Sequence, residues 1–243
     1  MLTIFHITRC QKNSITSGRE SFLLYKLIKM KFYYARDALK YLILNFKIKE
    51  IFIPYYLCDV IRHSIFEVGC KPIFYHIDDN FMPTQDFPKE SFILYPNYFG
   101  ICDKNVDTLI KKYPKLIVDN AHAFYAKPKG FASFNSERKF RPVQNGAYLW
   151  IGEGESFTPN DYKRLDTFMH YHSLLNDNKL KIDIENNCIP FCYPYLAPTI
   201  EQADQLVEKL TQQGKTIYRY WNNLPKNYNE YKFYSRLVPI PLD

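Results

Sequence analysis

The spacing of apolar residues changes several times along the chain, and each change marks an element. Ala38, Leu39, Leu42, Ile43 and Leu44 recur at helical spacing, so residues 36–46 read as a buried helix. Ile51-Phe52-Ile53 is a short β-branched and aromatic strand stopped by Pro54. Residues 57–68 return to helical spacing, with Val60, Ile61, Ile65 and Phe66 on one face and Gly69 where a helix ends. Strands follow at residues 72–75 and 91–95, the second halted by Pro96. A short helix spans residues 106–113, and the strand Leu116-Ile117-Val118 delivers Asp119. Strand alternating with helix predicts a parallel sheet with crossover helices. Ligands of such sheets gather beyond the carboxyl ends of the strands. Pro54, Pro96-Asn97 and Asp119 fall on that edge.

Elsewhere the pattern is weaker. Residues 1–31 are mixed, with a turn at Gly18 and an apolar element starting at Phe22. Asn145-Gly146 turns the chain into a strand. The stretch from Ile151 is polar, residues 162–176 are helical and residues 177–187 irregular. A new unit then shows a strand at 191–196, an amphipathic helix at 200–213 ended by Gly214, and a strand at 216–221. The pattern predicts an α/β protein with a large unit over residues 1–175 and a small α+β unit over residues 176–243.

Composition narrows the class. A chain of 243 residues that is 47% hydrophobic buries a substantial core, which excludes global disorder, and eight glycines exclude a Gly-rich repeat. The net charge is +7, but the Lys and Arg are scattered, with no Arg-rich stripe. That favours a solvated face over a nucleic-acid surface and leaves room for an anionic small ligand. No apolar run approaches the ~20 residues of a spanning helix, and the first residues lack a secretory pattern, so the expectation is a cytoplasmic protein. The six cysteines read as reduced thiols. Cys188 and Cys192 are close but lack a second Cys/His pair at zinc spacing, so no metal is expected.

Three segments carry candidate chemistry. Asp119 follows an apolar strand and precedes His122 by three residues. It is either an acid capping a following helix or a carboxylate that fixes a cationic cofactor nitrogen. Lys139 stands beside Phe140. It is either a surface lysine, like Lys127 and Lys129, or a partly desolvated amine able to form a Schiff base. Tyr34-Ala35-Arg36-Asp37 opens a helix, which is either a simple helix start or a phosphate site. Pyridoxal 5′-phosphate (PLP) chemistry needs all three parts: an imine-forming lysine, a carboxylate at the pyridine nitrogen, and a helix N-terminus for the phosphate.

The order and spacing of several stretches resemble the DegT/DnrJ/StrS family of PLP-dependent sugar aminotransferases, in a divergent and shortened form. The stretches are Ala35-Arg36-Asp37-Ala38-Leu39, Ile53-Pro54-Tyr55-Tyr56-Leu57-Cys58 and Gly69-Cys70-Lys71-Pro72. Further on come Tyr95-Pro96-Asn97-Tyr98-Phe99-Gly100, Val118-Asp119-Asn120-Ala121-His122 and Ser136-Glu137-Arg138-Lys139-Phe140. The resemblance implies a three-layer α/β/α PLP-transferase-like large domain and a homodimer. It implies that Lys139 forms the imine and shuttles protons, that Asp119 pairs with the pyridine nitrogen, and that His122 lies near the ring hydroxyl. Arg36 and Asp37 would offer backbone N–H groups to the phosphate, and Ser136, or else Ser133, a hydroxyl. Tyr56 or Cys58 would cover the ring face. The implied reaction turns a nucleotide-linked keto sugar into an amino sugar for surface polysaccharide, with an amino acid as donor. Two other readings stand beside it: a shortened, non-catalytic relative serving as a binding or assembly protein, and a PLP dehydratase.

Overall fold

The computed structural model describes residues 6–9, 28–159, 162–184 and 189–242. The expected turn at Gly18, the apolar element from Phe22, Cys10 and Cys188 lie outside them. The first strands are β1 (His6–Arg9) and β2 (Ile28–Phe32), followed by helix α1 (Ala35–Asn45). Then come β3 (Glu50–Pro54), α2 (Asp59–Glu67), β4 (Lys71–Tyr75), β5 (Ile93–Pro96), α3 (Asp103–Lys112) and β6 (Leu116–Asn120). Strands β7 (Ala132–Asn135) and β8 (Ala147–Ile151) complete an eight-stranded sheet in the order β1-β2-β8-β7-β6-β5-β3-β4. The pairs from β4 through β3, β5 and β6 to β7 are parallel, whereas β8 runs antiparallel to both β7 and β2.

Alternation along the central strands sorts their side chains to two faces. Leu94 and Ile117 join Ile51, Ile53 and Phe134 beneath Leu39, Leu42 and Ile43 of α1 and Ile61 and Ile65 of α2. Ile93, Tyr95, Leu116 and Val118 point the other way, toward Val106 and Leu109 of α3 and toward Phe233 and Leu237 from the chain's end. The result is the expected three-layer α/β/α arrangement. The buried face of α2 is narrower than the sequence suggests. Val60 and Phe66 are exposed, as is Leu44 of α1, because α1 and α2 cover the sheet with only one stripe each.

The second unit comprises α4 (Tyr162–Leu174), β9 (Cys192–Leu196), α5 (Ile200–Gln212), α6 (Tyr231–Arg236) and β10 (Leu237–Pro241). β10 pairs antiparallel with β9. The strand expected at residues 216–221 is absent. β10 takes the place beside β9, and Trp221 has φ of 59°, which an extended strand does not accommodate. Phe168 of α4 packs with Tyr193, Val238 and Ile240. The expected boundary at 175/176 therefore falls between α4 and the small sheet it packs on.

Candidate active site

β6 carries Asp119 to the carboxyl edge of the sheet, in register with Pro96 of β5 and Phe134 of β7. There its Oδ1 accepts the Ala121 N–H at 2.8 Å, and the Ala123 N–H donates to the Asn120 carbonyl at 2.9 Å. This turn swings His122 to the same side as Asp119, and both line one cavity. Asp119 is buried, and that desolvation pushes its carboxyl up to about 6, against the opposing pull of the Ala121 N–H and the Lys139 charge. His122 is buried among rings. Phe191 stacks on it at 4.4 Å and 13°, and Trp221 at 5.7 Å and 9°. Burial, then the positive Lys139, holds its pKa well below the usual histidine range, so it is neutral.

Lys139 ends a 3₁₀ turn (Glu137–Lys139) immediately after β7. Backbone bonds fix that turn against the start of α1: the Glu137 N–H donates to the Gly146 carbonyl at 2.9 Å, and the Gly146 N–H to the Tyr33 carbonyl at 2.8 Å. The ammonium is half-buried beside the Phe191 ring. Desolvation lowers its pKa, and Asp119 partly opposes the shift. Ser136 makes no side-chain bond to the turn it precedes, and it too lines the cavity. At the same wall stands the N-terminus of α1. Tyr34 is its N-cap and makes no side-chain cap bond, and Ala35 and Arg36 face the cavity. Orphan N–H groups and the positive end of the helix dipole suit an anion there.

The cavity encloses ≈ 730 Å³ of space, part of it open to solvent. It brings together Arg36, Cys58, Asp119 with His122, and Ser136 with Lys139, six residues from four separate stretches of the sequence. Other expected residues are elsewhere. Asp37 does not line it, and its N–H already donates to the Tyr34 carbonyl at 3.0 Å. Tyr56 is fully buried, packed face to face with Tyr98 at 5.7 Å and edge-on to Trp221. It supports the wall from behind. Ser133 is buried on β7 and does not reach the cavity, so of the two serines only Ser136 does.

No family model matches the sequence, and no curated protein matches it. Solved structures do. The PLP form of Spr1654 from Streptococcus pneumoniae superposes with a TM-score of 0.70 at 14% identity, over 88% of this chain and 82% of that one. A DegT DnrJ EryC1 StrS aminotransferase from Brucella abortus gives 0.67 at 14% identity, over 88% and 80%. PseC of Helicobacter pylori, an aminotransferase involved in the biosynthesis of pseudoaminic acid, gives 0.64 at 16% identity, over 88% and 81%. The chain shares the fold of these solved proteins. At these identities the likeness concerns architecture, and the site must be read from its own residues.

Within that fold, two further residues line the cavity. Asn97, which the sequence placed on the ligand edge without a role, is buried just after β5. Its Oδ1 accepts the Cys102 N–H at 2.9 Å and its Nδ2 donates to Asp103 at 2.7 Å, so it pins the start of α3 to the sheet edge. Trp221 reaches the cavity from the second unit, about a hundred residues beyond Asp119, and no local pattern could announce it. Among the described residues no group of His, Cys, Asp and Glu could hold a metal ion. Cys58, Cys70, Cys102 and Cys192 are free thiols. Among the same residues no helix is long and apolar enough to cross a membrane.

Proposed function

We propose that this protein is a PLP-dependent aminotransferase that converts a nucleotide-linked keto sugar to an amino sugar, taking the amino group from an amino acid. The reading rests on one observation: Asp119 and Lys139, delivered by β6 and by the turn after β7, line a single cavity whose wall is the N-terminus of α1. Its place would be surface-polysaccharide synthesis in the cytoplasm, and its working form a homodimer.

The residues present fit the cofactor. Asp119 is a carboxylate lifted to about 6 by burial, and a cationic pyridine nitrogen beside it would relieve that cost. The α1 N-terminus, Arg36 and the Ser136 hydroxyl offer donors to a phosphate. When bound, PLP supplies an electron sink that stabilises negative charge at the substrate carbon. Asp119 would hold a proton on the pyridine nitrogen, which would let the ring accept electrons. Lys139, its pKa lowered by burial, is an amine that can attach the cofactor. As a free amine its Nζ could accept a proton and give it back at a neighbouring position. His122, neutral and held between Phe191 and Trp221, gives the cavity a fixed planar wall. Phe191 shields one side of the amine, its ring centroid 5.6 Å from Nζ.

The test is direct. The purified protein is mixed with PLP, reduced with borohydride and digested, and the labelled peptide is identified by mass spectrometry. Label on Lys139 is expected. Absence of label, or label scattered over Lys127, Lys129 and other surface lysines, would overturn the enzyme reading and leave a fold kept for binding.

A further inference from the structure

Trp221, which lines the cavity, belongs to a segment that the backbone does not fasten. From residue 216 to residue 224 no N–H or carbonyl takes part in a backbone hydrogen bond. The last such bond before it runs from the Lys215 N–H to the Leu210 carbonyl, and the next from the Tyr228 N–H to the Pro225 carbonyl. Side chains hold the stretch instead, and successive ones reach different elements. Arg219 pairs with Asp204 of α5 at 2.6 Å. Tyr220 and Trp221 lie against His122, their ring centroids 5.4 and 5.7 Å away. Asn223 donates to Asp59, the first residue of α2. Cys58 and Val60, on either side of Asp59 in the chain, both line the cavity, so this last contact is made on its rim. The segment thus crosses from α5 over His122 to α2. We propose that residues 216–224 form a strap that closes the cavity and opens by itself, without unfolding of the rest, to let an occupant in or out. The proposal concerns access and does not depend on what the occupant is.

Local opening follows the weakest fastenings. A helix or a strand keeps a ladder of backbone bonds that must break together, whereas the strap has only separate side-chain contacts. The Arg219 and Asp204 pair and the Asn223 and Asp59 pair are partly or fully exposed, where such contacts contribute little and water replaces them readily. Trp221 has φ of 59°, a left-handed backbone that a bulky residue adopts only where its surroundings impose it. What imposes it is the stack on His122 and the edge contact with Tyr56, so losing them also frees the backbone.

Opening has a definite consequence beneath the strap. Tyr220 packs on Phe191 at 6.1 Å and lies beside the next residue, Cys192. Burial, then the nearby Cys192 thiol, pushes the Tyr220 hydroxyl up. Cys192 itself is buried. Cys102 is buried to the same degree, but its neighbours are Tyr95, Tyr98 and Asp103 of the large unit. The two thiols therefore report different events: Cys192 the lifting of the strap, Cys102 the unfolding of the sheet and α3.

The experiment treats the purified full chain with iodoacetamide under native conditions and follows alkylation of Cys192 and of Cys102 over time by peptide mass spectrometry. Cys192 should react at least about 10-fold faster than Cys102. Arg219→Gln and Asn223→Ala should each speed the reaction at Cys192 about 3-fold and together about 10-fold, with Cys102 unchanged. Lys112→Gln, which breaks a surface pair with Asp86 on the far side of α3, should alter neither rate. Cys192 reacting no faster than Cys102 overturns the proposal, because both thiols then wait on unfolding of the whole chain. A double variant within about 2-fold of the parent at Cys192 overturns it too, as does one that quickens both thiols alike. None of these measurements uses PLP. If Lys139 takes no label while the double variant still exposes Cys192 alone, the cofactor reading fails and the strap stands.

Discussion

At the scale of single residues, Asp119 sets binding against stability. Burial pushes its carboxyl up to about 6 from an ordinary 3.8. The unfolded chain thus gives up this proton at lower pH than the folded one does. The stability associated with the protonated form is fully present below pH ~4 and is lost as pH rises through about 6. The loss amounts to ~3 kcal/mol for the cofactor-free protein. Asp119→Asn removes the charge and keeps the shape. Cofactor-free Asp119→Asn protein should therefore melt higher than the parent at pH 8, and the gap should close by pH 4. The same variant should retain PLP at least 100-fold more weakly, because the cationic nitrogen has lost its partner. A scan of melting temperature against pH, paired with a PLP titration, checks both signs. A variant less stable than the parent at pH 8 would show that the carboxylate is already compensated without the cofactor. Asp119 and Lys139 were legible in the sequence because each is tied to an adjoining pattern, a strand end and a turn between strands. Of the alternatives Tyr56 and Cys58 only Cys58 lines the cavity, and Asp37 does not, because resemblance fixes a position in the chain but not what its groups face. Tyr56 turns into the core, and Asp37 has already spent its N–H on Tyr34.

At the scale of elements, the turn between β5 and α3 decides where His122 lies. Phe99 and Gly100 both take positive φ, 54° and 73°. A Cβ on Gly100 would meet the His122 carbonyl at 2.4 Å and the Phe191 nitrogen at 3.3 Å. Phe191 in turn donates its N–H to the Phe99 carbonyl at 2.8 Å, so this turn joins the large sheet to the second unit beneath the cavity. Gly100→Ala adds left-handed strain of ~1–2 kcal/mol to a backbone clash that cannot relax into a side chain. It should cost at least ~2 kcal/mol in denaturant unfolding and shift the His122 ring resonances. Unchanged resonances would mean that the turn and the ring are independent. The helices were legible here because their apolar periodicity is strong, though the exposure of Val60 and Phe66 shows that periodicity overstates the buried stripe. β7 escaped notice because Ser133 and Asn135 dilute a four-residue strand that is nevertheless buried throughout. The expected strand at 216–221 failed for the opposite reason. Its aromatic residues serve the cavity and the core, and the partner place beside β9 belongs to β10.

At the scale of the whole molecule, the cavity is closed by residues whose position depends on a distant anchor. Trp221 belongs to the tail, yet it stacks on His122 and packs edge-on to Tyr56. Nine residues further on, Glu230 is fully buried, and its carboxylate accepts the Ile77 N–H at 2.7 Å and contacts His76 Nδ1 at 3.0 Å. Asn229 donates to the Ile77 carbonyl at 3.1 Å, and Lys232 pairs with Asp79, so the tail is fastened to the segment after β4 on both sides of Glu230. Removing the carboxylate strands a buried N–H and leaves a void, which places Glu230→Ala at ~3 kcal/mol of lost stability. Glu230→Gln keeps an acceptor oxygen and should lose less than half of that. The consequence at the cavity is separable from stability. In a Trp150→Phe background Trp221 is the sole tryptophan. Under native conditions Glu230→Ala should move its emission to the red and weaken PLP retention, while Glu230→Gln leaves both near the parent. A stability loss with unshifted emission would show that Trp221 is held by its own ring contacts and that the anchor acts only on the fold. A shift in step with cofactor loss would make the tail a functional wall of the site, since the strand end bearing Asp119 and the turn bearing Lys139 are untouched by the substitution.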